Sequence, residues 1–290
     1  MQTLVISGSP VTLPPPQRDA LISLLVDDDP AIYQFVRQKI LSYGREGCAW
    51  LKPYTLSNDP VMRRRATEII THLARREADE RFLTFCLGRA EDLDLEEAVH
   101  RLAQTQYPEL NSAAYAALYD CWASELRERL SGRSDPDQIL GAINQYLFGE
   151  LRFAGSDNYG YDPECCYLNR IVDRRVGNPI GLCAVYLFLA RRLGLPVAGI
   201  GLPGHFICRY QSSTTEIYID CFRKGIFLSK GDCIKYLLQA NYGLADGHLL
   251  PVTPRRMLLR MCTNLHQTYG HLEMTEEAAR VKRYLVALSK

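Results

Sequence analysis

The sequence predicts an α+β fold in which helices precede and follow one block of short strands. Residues 17 to 130 carry helix caps and helically spaced apolar side chains almost throughout. Strand-like runs occur only between residues 197 and 228, and helical patterns return from residue 229. A chain that passes from helices to a small group of strands and back is typical of the α+β class.

The helical region of residues 17–130 contains a weak internal repeat. Asp29-Pro30 and Asp59-Pro60 each place a capping Asp before a proline at the first helical position. Apolar residues then recur at helical spacing after both, which favours stacked helix pairs that resemble HEAT-type repeats. An ordinary helical bundle explains the same pattern.

The remaining elements divide the chain into further parts. Residues 1–16 are a loose, proline-rich lead-in, and residues 131 to 136 form a linker rich in Ser, Gly, Asp and Pro. Residues 137–240 hold the strands and the helices around them, and residues 241–290 end in a helical hairpin. The predicted order is therefore lead-in, helical domain, α+β core and C-terminal helical segment.

Bulk composition excludes several classes of protein. The 290 residues are 47% hydrophobic and 23% charged, which is typical of a soluble globular chain. A formal net charge of +1 creates no global attraction to nucleic acid or to an anionic membrane. No apolar run approaches the ~20 residues that span a bilayer, and the N-terminus lacks the pattern of a secretory signal. We therefore expect a cytoplasmic protein that binds neither nucleic acid nor membrane.

The ten cysteines are scattered along the chain, many of them at apolar positions of predicted helices or strands. Free cysteine packs as a small hydrophobic residue, so most are interpreted as core residues. Cys165 and Cys166 are adjacent rather than spaced as CxxC, and no second pair stands at metal-ligand spacing. The sequence thus predicts neither a metal site nor a cofactor.

One helix start carries the first candidate for chemistry. Asn178 is a good helix cap and Pro179 suits the first turn, which places Cys183 in the second turn. A helix N-terminus stabilises a thiolate and makes the cysteine a better nucleophile. Cys183 also lies on the apolar stripe of its helix, so a plain core role is the competing interpretation.

Two polar residues on the following strands complete the candidate set. His205 opens a strand after Pro203-Gly204, and Asp220 ends the next strand. An Asp in that place can accept a ring N–H of the histidine and fix its tautomer. A structural histidine is the alternative at His205.

The motif around these residues resembles a known family. The run YLNRIVDRRVGNPIGLCAVYLFLARRLGLPVAGIGLPGHFICRY, followed by EIYIDCFRKG, is similar to the transglutaminase-like domain of SirB-type bacterial proteins. The resemblance covers residues 140 to 240 well and implies a papain-like α+β core. The later run LLPVTPRRMLLRMCTNLHQTY resembles the part of the family that leads toward tetratricopeptide-like helices.

The resemblance also implies which residues would act. Active relatives use Cys, His and Asp for acyl transfer through a thioester, and His205 and Asp220 fall on the matching positions. The position of the nucleophile falls on Pro179, one helical turn before Cys183. Cys221 stands where the family pattern has proline, and we do not favour it as the nucleophile.

Two functions follow as expectations. The first is a pseudoenzyme, in which a non-catalytic transglutaminase-like module with helical repeats binds a protein partner or regulates it. The alternative is a cysteine-dependent amide hydrolase or acyltransferase, in which Cys183 attacks, His205 is the base and Asp220 orients it.

Overall fold

The structure, a computed structural model, describes residues 13–88, 91, 93–240 and 247–290. Most of the predicted lead-in and the first residues of the predicted C-terminal segment, 241–246, lie outside the described residues. The chain divides into two compact units, residues 1–78 and 79–290. Each unit has its own buried core, and the candidate site residues all belong to the second.

The first unit is helical. Its helices are α1 (Pro15–Ser23), α2 (Pro30–Ser42), α3 (Arg45–Leu51) and the N-terminal part of α4 (Pro60–Leu87). Both predicted caps are confirmed, because Asp29 accepts from the Ala31 N–H and Asp59 from the Val61 N–H, each at 2.8 Å. The core of this unit consists of Ile22, Leu25, Val36, Ile40, Leu51, Met62, Ala66, Ile69 and Leu73. The HEAT-like character of these helices stays a prediction.

The second unit surrounds its sheet with helices. They are α5 (Leu95–Gln104), α6 (Ser112–Leu130), α7 (Pro136–Asn144), α8 (Leu168–Arg174), α9 (Pro179–Arg192), α10 (Lys230–Gln239), α11 (Pro254–His271) and α12 (Thr275–Leu288). The last two share a buried core, which confirms the predicted C-terminal helical hairpin. Within the described ranges, no helix combines the length and apolarity that crossing a bilayer requires.

Two sheets form in the second unit. The short strands β1 (Ala154–Gly155) and β2 (Val176–Gly177) pair in parallel just before α9. The main sheet is antiparallel with strands in chain order: β3 (Val197–Leu202), β4 (His205–Gln211), β5 (Glu216–Asp220) and β6 (Ile226–Leu228). The α+β class predicted from the sequence is therefore confirmed, with the strands of the main sheet where the patterns placed them.

Both faces of the main sheet are covered, and by different helices. Phe206 and Cys208 of β4 join the core that contains α9. Ile207, between them, joins a separate small core with Cys233 and Leu237 of α10. Since successive side chains of a strand alternate between faces, the position of a residue along β4 decides which helix it meets.

Candidate functional site

The start of α9 is built by Asn178 and Pro179. The Asn178 Oδ1 accepts from the Gly181 N–H at 2.8 Å, and its Nδ2 donates to the Cys166 sulfur at 3.3 Å. Pro179 follows in the first turn and is buried. Since proline has neither a nucleophilic side chain nor an N–H, the place that the family resemblance assigns to the nucleophile holds no reactive group.

Cys183 lies one turn further into α9 and is fully buried. Its Sγ donates to the main-chain oxygen of Phe206 at 3.5 Å. Burial raises the pKa of this thiol well above its ordinary value. Because the thiolate is the nucleophilic form of cysteine, this burial disfavours the nucleophilic form of Cys183.

Two further thiols share the interior with Cys183. Cys208 of β4 and Cys221, just after β5, are also fully buried, and the three sulfur atoms all lie within 4.8 Å of one another. The Cys221 and Cys208 sulfurs are 3.9 Å apart. Burial works against ionisation of Cys208, but hydrogen bonds with Cys183 and Cys221 outweigh it and lower its pKa to about 6.

His205 and Asp220 form a close pair. The His205 Nε2 lies 2.9 Å from the Asp220 Oδ2, and the Asp220 side chain is only 3% exposed. The other carboxylate oxygen, Oδ1, accepts from the N–H groups of Phe222 and Arg223 at 3.1 and 3.2 Å. These bonds fix the carboxylate, and the carboxylate in turn orients the imidazole.

The pair opens onto a cleft on the α10 side of the sheet. The cleft has a volume of about 470 Å³ and is lined by His205, Asp220, Phe222, Arg223, Lys235 and Tyr236 together with apolar neighbours. Phe222 and Tyr236 also contact the imidazole ring, with ring centroids 6.0 and 6.2 Å away. The polar pair is thus accessible from one side between two aromatic rings.

The geometry separates the three candidate residues. His205 shares a face of β4 with Ile207, whereas Cys208 and Phe206 share the other face, against which Cys183 packs. The structure therefore brings His205 and Asp220 together on one side of the sheet. It groups Cys183 with the other two thiols, in the core that contains Phe206.

Another cysteine, which the sequence did not single out, lines the cleft beside the His–Asp pair. Cys233 of α10 contributes to the cleft wall but is 1% exposed. Burial, followed by the neighbouring carboxylates Asp232, Glu216 and Asp220, raises the pKa of its thiol to about 11. Its sulfur is therefore protonated at neutral pH and carries no sign of activation.

Sequence reasoning also missed the residues that hold the His205 turn. The Arg260 guanidinium, on α11, donates to the main-chain oxygens of Leu202 and His205 at 2.8 and 3.1 Å. The Tyr236 hydroxyl donates to the oxygen of Pro203 at 3.0 Å. These bonds join segments that are far apart in sequence, so no local sequence pattern predicts them.

Comparison with known proteins agrees with the motif. The Transglutaminase-like superfamily model matches residues 113–263. A UPF0162 protein of Xylella fastidiosa is 32% identical over 197 residues, which cover 66% of this chain and 70% of that protein. Protein SirB1 of Salmonella typhimurium is 26% identical over 93 residues, 32% of this chain and 35% of SirB1.

A eukaryotic relative shares only the central part. F-box only protein 21 of Mus musculus is 34% identical over 141 residues, which are 44% of this chain and 21% of that protein. No solved structure matches the chain. The matched region therefore also occurs inside a much longer protein.

Proposed function

Because the chain belongs to the transglutaminase-like superfamily but buries its candidate nucleophile Cys183 in a hydrogen bond to a main-chain oxygen rather than to His205, we propose that it is a non-catalytic member that binds a protein partner. Acyl transfer through a thioester needs a nucleophile within hydrogen-bond reach of its base. In this chain the Cys183 Sγ bonds to the main-chain oxygen of Phe206, whereas the His205 Nε2 bonds to Asp220, and strand alternation assigns His205 to the Ile207 face of β4. That difference in bonding is the observation on which the proposal rests.

A protein-binding role is supported by the surface around the cleft. Ile226 and Phe227 of β6 and Leu238 of α10 are exposed to 53%, 38% and 53%. Ile226 and Phe227 are consecutive residues of a strand, so they expose apolar surface on both faces of β6, and exposed apolar surface is typical of interaction sites. We name the group formed by these three residues the β6 patch.

The sheet edge at the same place favours an extended partner segment. Strand β6 pairs with β5 on one side, and no strand in the described part of the chain pairs with its other side. The opposite edge, β3, is met by Pro251, which bridges to Ile200. An extended peptide can add itself to an open edge through main-chain hydrogen bonds and place alternate side chains in neighbouring pockets. The proposed partner is therefore a protein that offers an extended segment with apolar side chains.

The second candidate function is acyl transfer or amide hydrolysis through a cysteine. The one observation that favours it is the His205–Asp220 pair itself, with its 2.9 Å contact facing a cleft. For this function Cys183 or Cys233 would have to become ionised and approach the imidazole.

Thiol labelling tests the absence of catalysis. The native chain would be treated with a thiol-reactive probe beside the variants Cys183→Ala, Cys233→Ala and His205→Ala. We expect the native chain and these three variants to be labelled equally, mainly at the exposed Cys121. In a further variant, Cys121→Ala, we expect this labelling to be lost. Fast labelling that disappears in His205→Ala and in one of the two cysteine variants would show an activated thiol and overturn the proposal.

Partner capture tests the binding role. The immobilised chain would be compared with Ile226→Lys and Phe227→Lys, and with Leu56→Lys as the control, since Leu56 is 86% exposed outside the β6 patch. We expect the control to retain a partner that both patch variants lose. A partner retained equally by all would place binding elsewhere and contradict the role of the β6 patch.

A further inference from the structure

The three-thiol group of Cys183, Cys208 and Cys221 has the composition of a soft-metal site. Its donor atoms come from a helix, a strand and the turn after a strand, and all lie within 4.8 Å of one another. Thiolate sulfur selects soft cations such as Cu(I) over the harder oxygen-binding cations. The group cannot be recognised as a metal-binding motif in the sequence, because Cys208 follows Cys183 by 25 residues.

The distances suit trigonal coordination. With metal–sulfur bonds of ~2.3 Å and three ligands in one plane, neighbouring sulfur atoms would be ~4.0 Å apart. The Cys208 and Cys221 sulfurs are 3.9 Å apart already. Only small side-chain adjustments are therefore needed to bring three sulfurs around one cation.

The number of ligands favours Cu(I) over Zn(II). Structural zinc sites have four protein ligands, and catalytic ones keep a position for water. Within the described residues this group has three ligands and no fourth His, Cys, Asp or Glu. All three cysteines are fully buried, so bulk water cannot supply the fourth ligand of a tetrahedral zinc site. Each cysteine binds as a thiolate, so the uptake of one Cu(I) releases the protons that these thiols carry.

A buried hydroxyl on the same helix provides a second observation. Tyr186 lies on α9 three residues after Cys183, hence on the same face of the helix. Tyr186 is fully buried, and its hydroxyl has no hydrogen-bond partner among the residues described. The core around Cys183 therefore holds a polar group that packing leaves unpaired.

The geometry points to a three-coordinate Cu(I) site formed by Cys183, Cys208 and Cys221. The site does not depend on the proposed binding role, since it lies on the other side of the sheet from the cleft. Because it is enclosed, we expect the cation to enter while α9 and the sheet assemble, or during a local opening.

Cu(I) titration tests the site. The reduced full-length chain would be titrated anaerobically with Cu(I) against a chromogenic Cu(I) chelator, both folded and during refolding. Cys183→Ala, Cys208→Ala and Cys221→Ala each remove one ligand, and Cys262→Ala removes an equally buried thiol outside the group. We expect each of the first three to lose one bound equivalent relative to wild type, and the control to lose none.

Two further measurements keep the proposal open to contradiction. X-ray absorption of the one-equivalent complex is expected to show three sulfur neighbours. Circular dichroism identifies any variant that does not fold, and each cysteine supplies an independent variant. Equal stoichiometry in Cys208→Ala and Cys262→Ala would overturn the site, and preferential uptake of Zn(II) by the same cysteines would overturn its assignment to Cu(I).

Discussion

The His205 Nε2 lies 2.9 Å from the Asp220 Oδ2, and this pair faces α10 while the thiol group faces α9. The Cys183 sulfur bonds to a main-chain oxygen and not to this imidazole. In such a place the carboxylate has a structural task, because its two oxygens accept from the imidazole and from two main-chain N–H groups. The consequences of removing it can be measured without any substrate.

Asp220→Ala is expected to destabilise the second unit. The substitution leaves the N–H groups of Phe222 and Arg223 without their acceptor, and a buried donor that loses its partner costs about 1–3 kcal/mol. We expect a loss of about 2–3 kcal/mol in the free energy of unfolding in urea. Asp137→Ala, at an exposed position, is the control and is expected to stay within about 0.5 kcal/mol of wild type. Equal stabilities of the two variants would contradict the structural role of the Asp220 carboxylate.

Arg260 is expected to position the turn that carries His205. Arg260→Ala removes charged hydrogen bonds to the oxygens of Leu202 and His205, each typically worth about 1.5–3 kcal/mol. We therefore expect lower stability and faster amide exchange in β3 and β4, measured by hydrogen–deuterium exchange. Arg256→Ala, one turn earlier and exposed, is expected to leave both unchanged. Exchange in β4 that is no faster in Arg260→Ala than in Arg256→Ala would refute this role.

Local structure around the site was predictable from the sequence because its signals are local. Asn178 and Pro179 begin α9, and Gly194 follows its end with a φ of 69° that glycine adopts without strain. The strand alternation placed His205 with Ile207 and apart from Cys208. Each of these inferences needs only neighbouring residues.

The arrangement of the site was not predictable, because it depends on which helix covers which face. One face of β4 is apolar, with Phe206, Cys208 and Tyr210, and the other carries Ile207 between His205 and Arg209. This pattern favours an apolar helix on the first face, but it does not identify which helix covers the His205 face. The grouping of Cys183 with Cys208, and the reach of Arg260 back to the turn, are long-range contacts of the same kind.

Gly225 is expected to be required at the start of β6. Its φ of 75° is strained for other residues, and an added Cβ would lie 2.5 Å from the Asn144 side chain. The Gly225 N–H also donates to the main-chain oxygen of Asp220 at 2.8 Å. Gly225→Ala is therefore expected to destabilise the chain by about 1–3 kcal/mol.

Gly141→Ala is the matched control for this prediction. Gly141 lies within α7, where an added Cβ meets nothing within 4 Å, so we expect stabilisation by about 0.5–1 kcal/mol. The comparison uses thermal unfolding of the full chain. A neutral Gly225→Ala variant would show that the turn before β6 adapts, and that the β6 patch is not fixed by this glycine.

Asp94 is expected to make stability depend on pH in the acidic range. Burial tends to raise the pKa of the Asp94 carboxyl. Two contacts outweigh burial and lower the pKa: the hydrogen bond from the Glu97 N–H to this carboxyl, and the nearby Arg191 guanidinium. A group with a lowered folded-state pKa stabilises the fold above its unfolded-state pKa of about 3.9 and loses this contribution as the pH falls through the folded value. Asp94→Asn keeps a good helix cap but removes the charge. We expect wild type to be the more stable of the two at pH 7, and the difference in unfolding free energy to shrink as the pH falls below about 4. A difference that stays constant between pH 7 and pH 3 would show that the Asp94 charge does not stabilise the fold.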